Sequence, residues 1–338
     1  RTLIDRAAHQ TEKEMDAFFA TVQKQVVIGR EWAHSGLLDA DDHLALNKLF
    51  VPVLQRNKQM SSMMVSESTG TGYLLLRNAL KRNEWMNRVV RIKPEGNEAY
   101  FRYWNQQTGA VRDKTVPTKY DSRKRGWYLG ALKTQAGRPG RDVFWTRPVI
   151  FKSTKDPGIT AGAHVKVSDG LTLVVAFDLL LLDIARMTTK RIKPSANGTA
   201  FVLVEEKKTG ELRVVGLPRD DRYRDDQAIK DALIVVRQTK ADAKARLPRA
   251  ERFPVGPVAA AVKAWRSGGR KNRAVFRFES RGGDWWAEMR SYDVGQNRFW
   301  IGVAVPEKDF LGEVKRQQLI VIGISLLALI GAIIMAFM

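Results

Sequence analysis

Residues 120–131 read Tyr-Asp-Ser-Arg-Lys-Arg-Gly-Trp-Tyr-Leu-Gly-Ala. Aromatic rings and guanidinium groups crowd the start of a helix expected over 122–134. Arg125 offers a planar fork that matches a carboxylate. Trp127 adds one indole N–H, and Tyr120 and Tyr128 add hydroxyls beside flat apolar faces. Together these side chains can hold the carboxylate of a small ligand and wall off the rest of it. The same composition also describes a basic surface helix whose aromatics pack on a sheet. The residues alone leave both readings open.

From Ser61 the hydrophobic period changes. Stretches 61–67, 72–77, 86–92 and 98–104 are short, rich in Val, Leu, Tyr and Phe, and separated by Gly, Pro and Asn. They read as antiparallel strands. Further strands are expected near 143–150, 159–167 and 171–178. The last of these closes on Asp178 after the apolar run Leu173-Val174-Val175-Ala176-Phe177. A carboxylate there needs a partner or an open edge. It either meets a ligand ammonium group or caps the helix that begins near residue 179, and the cap is the default on sequence alone. After Pro194-Ser195-Ala196-Asn197-Gly198 the pattern restarts in reduced form. Strands are expected at 199–205, 211–215, 273–279, 284–291 and 298–305, with helices near 225–238 and 255–267.

Ahead of the strands, residues 1–35 read as one long amphipathic helix. Leu3, Ala7, Met15, Phe18, Phe19, Val22, Val26 and Val27 recur at three- and four-residue steps. A second helix is expected at 41–58, where Asp41 and Asp42 suit the positive end of the helix dipole. The fold class is therefore α+β: a long N-terminal helix, then two modules of antiparallel sheet with helices on one face. The chain ends on LIVIGISLLALIGAIIMAFM at 319–338, without charge or proline. Its length matches the ~20 residues of a transmembrane helix. Lys315 and Arg316 precede it. A positive-inside reading would leave the large domain in the cytoplasm, but large domains cross largely regardless of charge. The chain opens on Arg1 and stops with the span. A second membrane anchor before Arg1 and a cytoplasmic domain after Met338 are expected.

The bulk numbers narrow the function classes. With 338 residues, 44% of them hydrophobic, the chain can build real cores. A net charge of +21 favours anionic partners. The basic residues are spread along the whole chain and carry no zinc-finger, basic-zipper or RNA-binding pattern, so nucleic acid is not an expected partner. The absence of cysteine excludes disulfides, thiolate metal sites and thiol catalysis. His9, His34, His43 and His164 form no metal-binding pair. No cofactor, metal or catalytic constellation is expected, and the chain reads as a binding protein, not an enzyme. Gly137-Arg138-Pro139-Gly140-Arg141 is expected as a loop over the pocket, and Trp285-Trp286 as strand packing or a partner surface.

The spacing Tyr120, then Arg125-x-Trp127-Tyr128-x-x-Ala131, then a late Asp178 resembles the double Cache sensor family. The ending Trp300-Ile301-Gly302-Val303-Ala304-Val305-Pro306-Glu307-Lys308-Asp309-Phe310-Leu311 is similar too. The resemblance implies an extracytoplasmic sensor of the bacterial inner membrane built from two PAS-like modules. Residues 1–40 would be the stalk helix, 41–193 the membrane-distal, ligand-binding module, and 194–306 the membrane-proximal one. A connector at 307–318 would lead to the span at 319–338.

Carried over, the resemblance makes Arg125 and Trp127 carboxylate contacts, Tyr120 and Tyr128 further pocket contacts, and Asp178 an ammonium contact. The chain departs from the amino-acid-binding pattern on the strand after the helix, Phe144-Trp145-Thr146-Arg147-Pro148-Val149-Ile150-Phe151. Val149 stands where the family has a tyrosine, and Phe151 where it often has an aspartate. Half of the ammonium cage is missing, and Arg147 leans toward a more acidic ligand. An anionic or zwitterionic small molecule is the expected partner. The family commonly signals through dimers, so a homodimer joined along the 1–35 helix is expected, feeding a cytoplasmic kinase, cyclase, phosphatase or chemoreceptor output. Val149 and Phe151 also support a rival reading, a ligand-independent dimerisation or protein-interaction scaffold with a vestigial pocket.

Overall fold

A computed structural model describes residues 2–77, 83–138, 140–151, 154–167, 170–238 and 243–310. The chain opens with α1 (Thr2–His34) and α2 (His43–Arg56), followed by β1 (Met60–Glu67), β2 (Gly72–Arg77), β3 (Glu84–Arg91), β4 (Glu98–Asn105) and β5 (Val111–Pro117). A short α3 (Gly126–Ala131) leads to β6 (Phe144–Trp145), β7 (Val149–Ile150), β8 (Pro157–Lys166), β9 (Thr172–Leu180) and α4 (Leu181–Arg186). The second half runs β10 (Thr199–Glu205), β11 (Leu212–Gly216), α5 (Asp226–Leu233), β12 (Val235–Gln238), β13 (Ala243–Arg246) and α6 (Val258–Ser267). It closes with β14 (Val275–Ser280), β15 (Gly283–Val294) and β16 (Asn297–Pro306).

Two antiparallel sheets organise these elements. The larger has the order β5-β4-β3-β2-β1-β9-β8-β6, with β7 pairing on β8. The smaller has the order β11-β10-β16-β15-β14. The apolar stripe of α1 lies across both, touching β8 and β9 of one and β15 and β16 of the other. Ile4, Ala8, Met15, Val22, Val26 and Ala33 are fully buried there. One continuous core therefore runs beneath both sheets. The face assigned from sequence to a dimer contact is occupied within the chain, and the opposite face shows Arg6, Lys13, Lys24 and Glu31 to solvent.

Ionic and polar contacts pin the helices. Arg290 of β15 is buried with Glu288 and bonds Asp5 near the start of α1. Toward its other end, Arg30 pairs with Asp142. The Asp42 carboxylate caps α2, accepting from the backbone N–H of Leu44 and Ala45. Asn47 of α2 exchanges hydrogen bonds with the buried Asn87 of β3 at 2.9 and 2.7 Å.

Four expectations change. The larger sheet carries helices on both faces, with α1 and α2 on one side and α3 on the other. The helix expected at 122–134 is a 3-10 turn, Ser122–Lys124, followed by the six-residue α3. The end of the helix expected at 225–238 is the strand β12, paired with β13. β5, all polar or exposed except Val116, is an edge strand without an apolar alternation to announce it. The expected span at 319–338 lies outside the described residues, as does all but the first turn of the connector. Among the described residues, no helix is long and apolar enough to cross a membrane.

Candidate ligand-binding site

Strand alternation decides what the larger sheet offers on the side away from α1. Along β9, Leu173, Val175, Phe177 and Leu179 go to the helix-covered core. Val174, Ala176 and Asp178 take the other face. On β1 and β8, Ser62 and Thr160 stand directly beside Asp178 in the register. Both hydroxyls donate to the Asp178 carboxylate at 2.6 Å. The neighbouring row is Gly162, Ala176, Met64, Leu74 and Arg88 across five strands. Asp178 and Arg88 therefore share one floor, with an apolar strip between them.

The 120–131 stretch divides its labour. The Asp121 carboxylate accepts from the backbone N–H and guanidinium of Arg123 at 3.0 Å, and Arg123 also donates to the carbonyls of Ser68 and Thr69. The Ser122 and Ser66 hydroxyls bond each other. These three residues staple the segment to the sheet. Gly130 seats α3 against β6, where a β-carbon would lie 2.1 Å from the Phe144 ring. Trp127, so positioned, packs on the cluster of Met64, Leu74 and Ala176.

The result is a cavity of about 470 Å³ whose lining includes Tyr120, Arg125, Trp127, Arg147 and Asp178, five of the six residues singled out from sequence. Tyr128 is not among them. It is buried beneath α3 against Ala131 and Val174, meeting Trp127 edge-on at 5.8 Å. Asp178 does not cap α4, whose N-cap Leu180 has no side-chain bond. Gly137 and Arg138 bond Asp142 and Gln135, away from the cavity. Trp285 is buried and donates to the Ser280 carbonyl, the strand-packing role.

Val149 is exposed at the cavity mouth, and Phe151 lies over Gly158, where a β-carbon would sit 2.0 Å from its ring. Among the described residues, the tyrosine and aspartate that line the cavity are Tyr120 and Asp178. Phe151 also packs against the core of the smaller sheet.

Three polar cavity residues, Arg88, Thr160 and Gln296, escaped the sequence reading. Arg88 is set over the Tyr120 ring at 4.1 Å, with Arg125 at 5.8 Å from the same ring. Its Nε is buried without a hydrogen-bond partner. Thr160 is the second. The third, Gln296, comes from the β15–β16 turn of the smaller sheet. Its Nε2 donates to the Trp145 carbonyl at 3.0 Å, and the adjacent Asn297 donates to the Thr146 carbonyl at 2.7 Å. Gly295 makes that approach possible with φ of +56°, its Cα close against Trp145.

The charge balance is uneven. Among the described residues, Arg88, Arg125 and Arg147 have no carboxylate within ion-pair distance, and Asp178 is the one acidic group lining the cavity. Burial pushes the Asp178 carboxyl above its ordinary range, against the pull of the Ser62 and Thr160 hydroxyls and the Arg88 charge. A ligand carrying net negative charge would meet three guanidinium groups, aromatic walls and one buried carboxyl.

No family model matches the chain, and no curated protein matches it. Solved structures do. Methyl-accepting chemotaxis protein X is 15% identical, covering 90% of this chain and 98% of that one, with a TM-score of 0.49. The ligand-binding domain of the Pseudomonas aeruginosa PAO1 amino acid chemoreceptor PctC, in complex with GABA, is 15% identical over 89% of this chain and 96% of its own, with a TM-score of 0.47. That of the Pseudomonas fluorescens chemoreceptor CtaA, in complex with L-serine, is 15% identical over 90% and 98%, with a TM-score of 0.46. The PctC and CtaA structures are described as ligand-binding domains of chemoreceptors.

Proposed function

We propose that the chain is the extracytoplasmic sensor part of a membrane receptor and binds a small anionic or zwitterionic carboxylate in the cavity under α3. The observation that carries this reading is the set of three arginines, Arg88, Arg125 and Arg147, round one cavity without a carboxylate partner among the described residues. Cations so placed hold an unbalanced positive field that a ligand carboxylate neutralises. Arg125 and Trp127 would take that carboxylate and Tyr120 its body. Asp178, with Ser62 and Thr160, would take an ammonium or hydroxyl group at the other end. The larger sheet would be the membrane-distal module and the smaller one the proximal module. Occupancy would pass through the second to the helix begun at Glu307, and on to an output domain across the bilayer.

The test is a thermal-shift screen of the purified chain against amino acids, dicarboxylates, amines and purines, with Arg125→Ala alongside. A ligand at ~100 times its Kd adds about 2.7 kcal/mol, roughly a few degrees. A carboxylate hit lost in Arg125→Ala supports the site. A hit retained in the variant discards this cavity. Silence across the panel favours the scaffold reading, in which Val149 and Phe151 mark a pocket no longer used.

A further inference from the structure

Resting on the reading of residues 319–338 as a membrane span, we propose that an open groove at the end of the smaller sheet docks on the phosphate headgroups of anionic phospholipids. The groove encloses about 1080 Å³ and is formed where β16 ends, between the β14–β15 turn and the segments around 190 and 220. Lys190, Lys193, Arg224, Arg281 and Lys308 line it, all exposed.

The charges there are not evenly matched. Asp220 is taken by Arg222 and Arg281, and Asp284 and Glu307 by Arg277. Among the described residues, Asp221 is left as the one lining carboxylate without an ion pair. Lys190, Lys193, Arg224 and Lys308 likewise have none. Four uncommitted cations thus face one uncommitted anion. Tyr223 lines the same groove, buried but with its hydroxyl lacking a hydrogen-bond partner. Phosphate oxygens accept from all of these donor types.

The chain's own course selects the bilayer as the source of that phosphate. Pro306, Glu307 and Lys308 line the groove, and the apolar run starts at residue 319. Nine residues from Phe310 reach at most ~30 Å even fully extended. The groove is therefore held near the membrane, where each Lys or Arg is drawn to anionic headgroups. That attraction acts over a screening length of ~8 Å at physiological salt. The tether brings the groove close, and the cations seat it.

The chain has no cysteine, so Ser280→Cys on the groove wall accepts one fluorophore. The labelled full chain is placed in nanodiscs of phosphatidylcholine alone, or of equal parts phosphatidylcholine and phosphatidylglycerol, each with a headgroup-quencher lipid. Several-fold stronger quenching is expected in the phosphatidylglycerol discs. It should disappear in about 1 M NaCl, where the screening length falls to ~3 Å. It should also disappear in the variant Lys190→Glu, Lys193→Glu, Arg224→Glu, Lys308→Glu, provided that its circular dichroism and melting match the parent. Equal quenching in both discs, or insensitivity to charge reversal, overturns the proposal. A chain that enters neither disc overturns the span reading instead.

Discussion

Gln296, on a turn of the smaller sheet, donates to the Trp145 carbonyl of the larger sheet while lining the same cavity as Arg125 and Asp178. The cavity wall is therefore built from both sheets. A ligand seated there would touch the turn that continues as β16, the last strand among the described residues.

That joint can be weakened alone. Asn297→Ala removes the 2.7 Å bond to the Thr146 carbonyl and leaves an acceptor without its partner. A loss of about 1–3 kcal/mol is expected, read as a fall of a few degrees in the melting temperature. An unchanged melting curve would show that the two sheets are held together elsewhere.

The arginines should separate by role. Arg125→Ala and Arg147→Ala each remove a cation facing the cavity, and about a tenfold or greater rise in Kd is expected for any carboxylate that binds, near 1.4 kcal/mol or more. Arg88→Met also strips the cation from over Tyr120 and from beside Asp178. It should weaken binding and raise the Asp178 pKa further. Calorimetric titration of the three variants and the parent against one ligand checks this, and affinities equal to the parent's would sink the assignment.

Asp178 gives a pH signature of known sign. Its carboxyl titrates above the ordinary 3.8 in the folded chain, so between these values the folded state holds more protons than the unfolded one. Stability is full below that window and declines as pH rises through it. Asp178→Asn lacks the slope. Melting temperatures of parent and variant, taken from acid pH upward, should diverge with the parent losing ground. A bound ammonium ligand should flatten the parent's decline by favouring the carboxylate.

Gly130→Ala tests how α3 is seated. The added methyl would lie 2.1 Å from the Phe144 ring, so the ring or the helix must shift. A cost of roughly 1–3 kcal/mol is expected, together with weaker ligand binding, because Trp127 rides on the same helix. Stability lost with affinity intact would count against Trp127 as a wall of the site.

Arg290→Met strands Glu288, which is 3% exposed, and frees Asp5 from β15. Removing one partner of a buried pair costs about 3–5 kcal/mol. Hydrogen exchange should then rise first in the opening turns of α1. Uniform protection along that helix would contradict the assignment.

Periodicity made most of the architecture legible. The three- and four-residue spacing of α1 is visible because that helix buries one consistent face, and β1, β9 and β16 are visible as short apolar runs because they are buried on both faces. The Tyr120–Trp127 cluster was legible as a local run of chemistry. Arg88 was not, because its place over Tyr120 depends on β3, β2, β1 and β9 lying side by side, and no linear motif encodes that order. Ser62 and Thr160 matter only through cross-strand register with Asp178. Gln296 joins the cavity from 118 residues after Asp178, across a contact between sheets. Tyr128 was misplaced because one helical step separates a residue facing the cavity from one facing the sheet.

The stripe of α1 that lies across both sheets makes the chain one melting unit. Neither sheet can lose its packing without stripping apolar side chains from a helix that the other still needs. Unfolding should be a single sharp event, with no half-folded plateau. Excising either half should leave an exposed apolar ridge and an aggregating fragment, so the two halves are expected to fold as a pair.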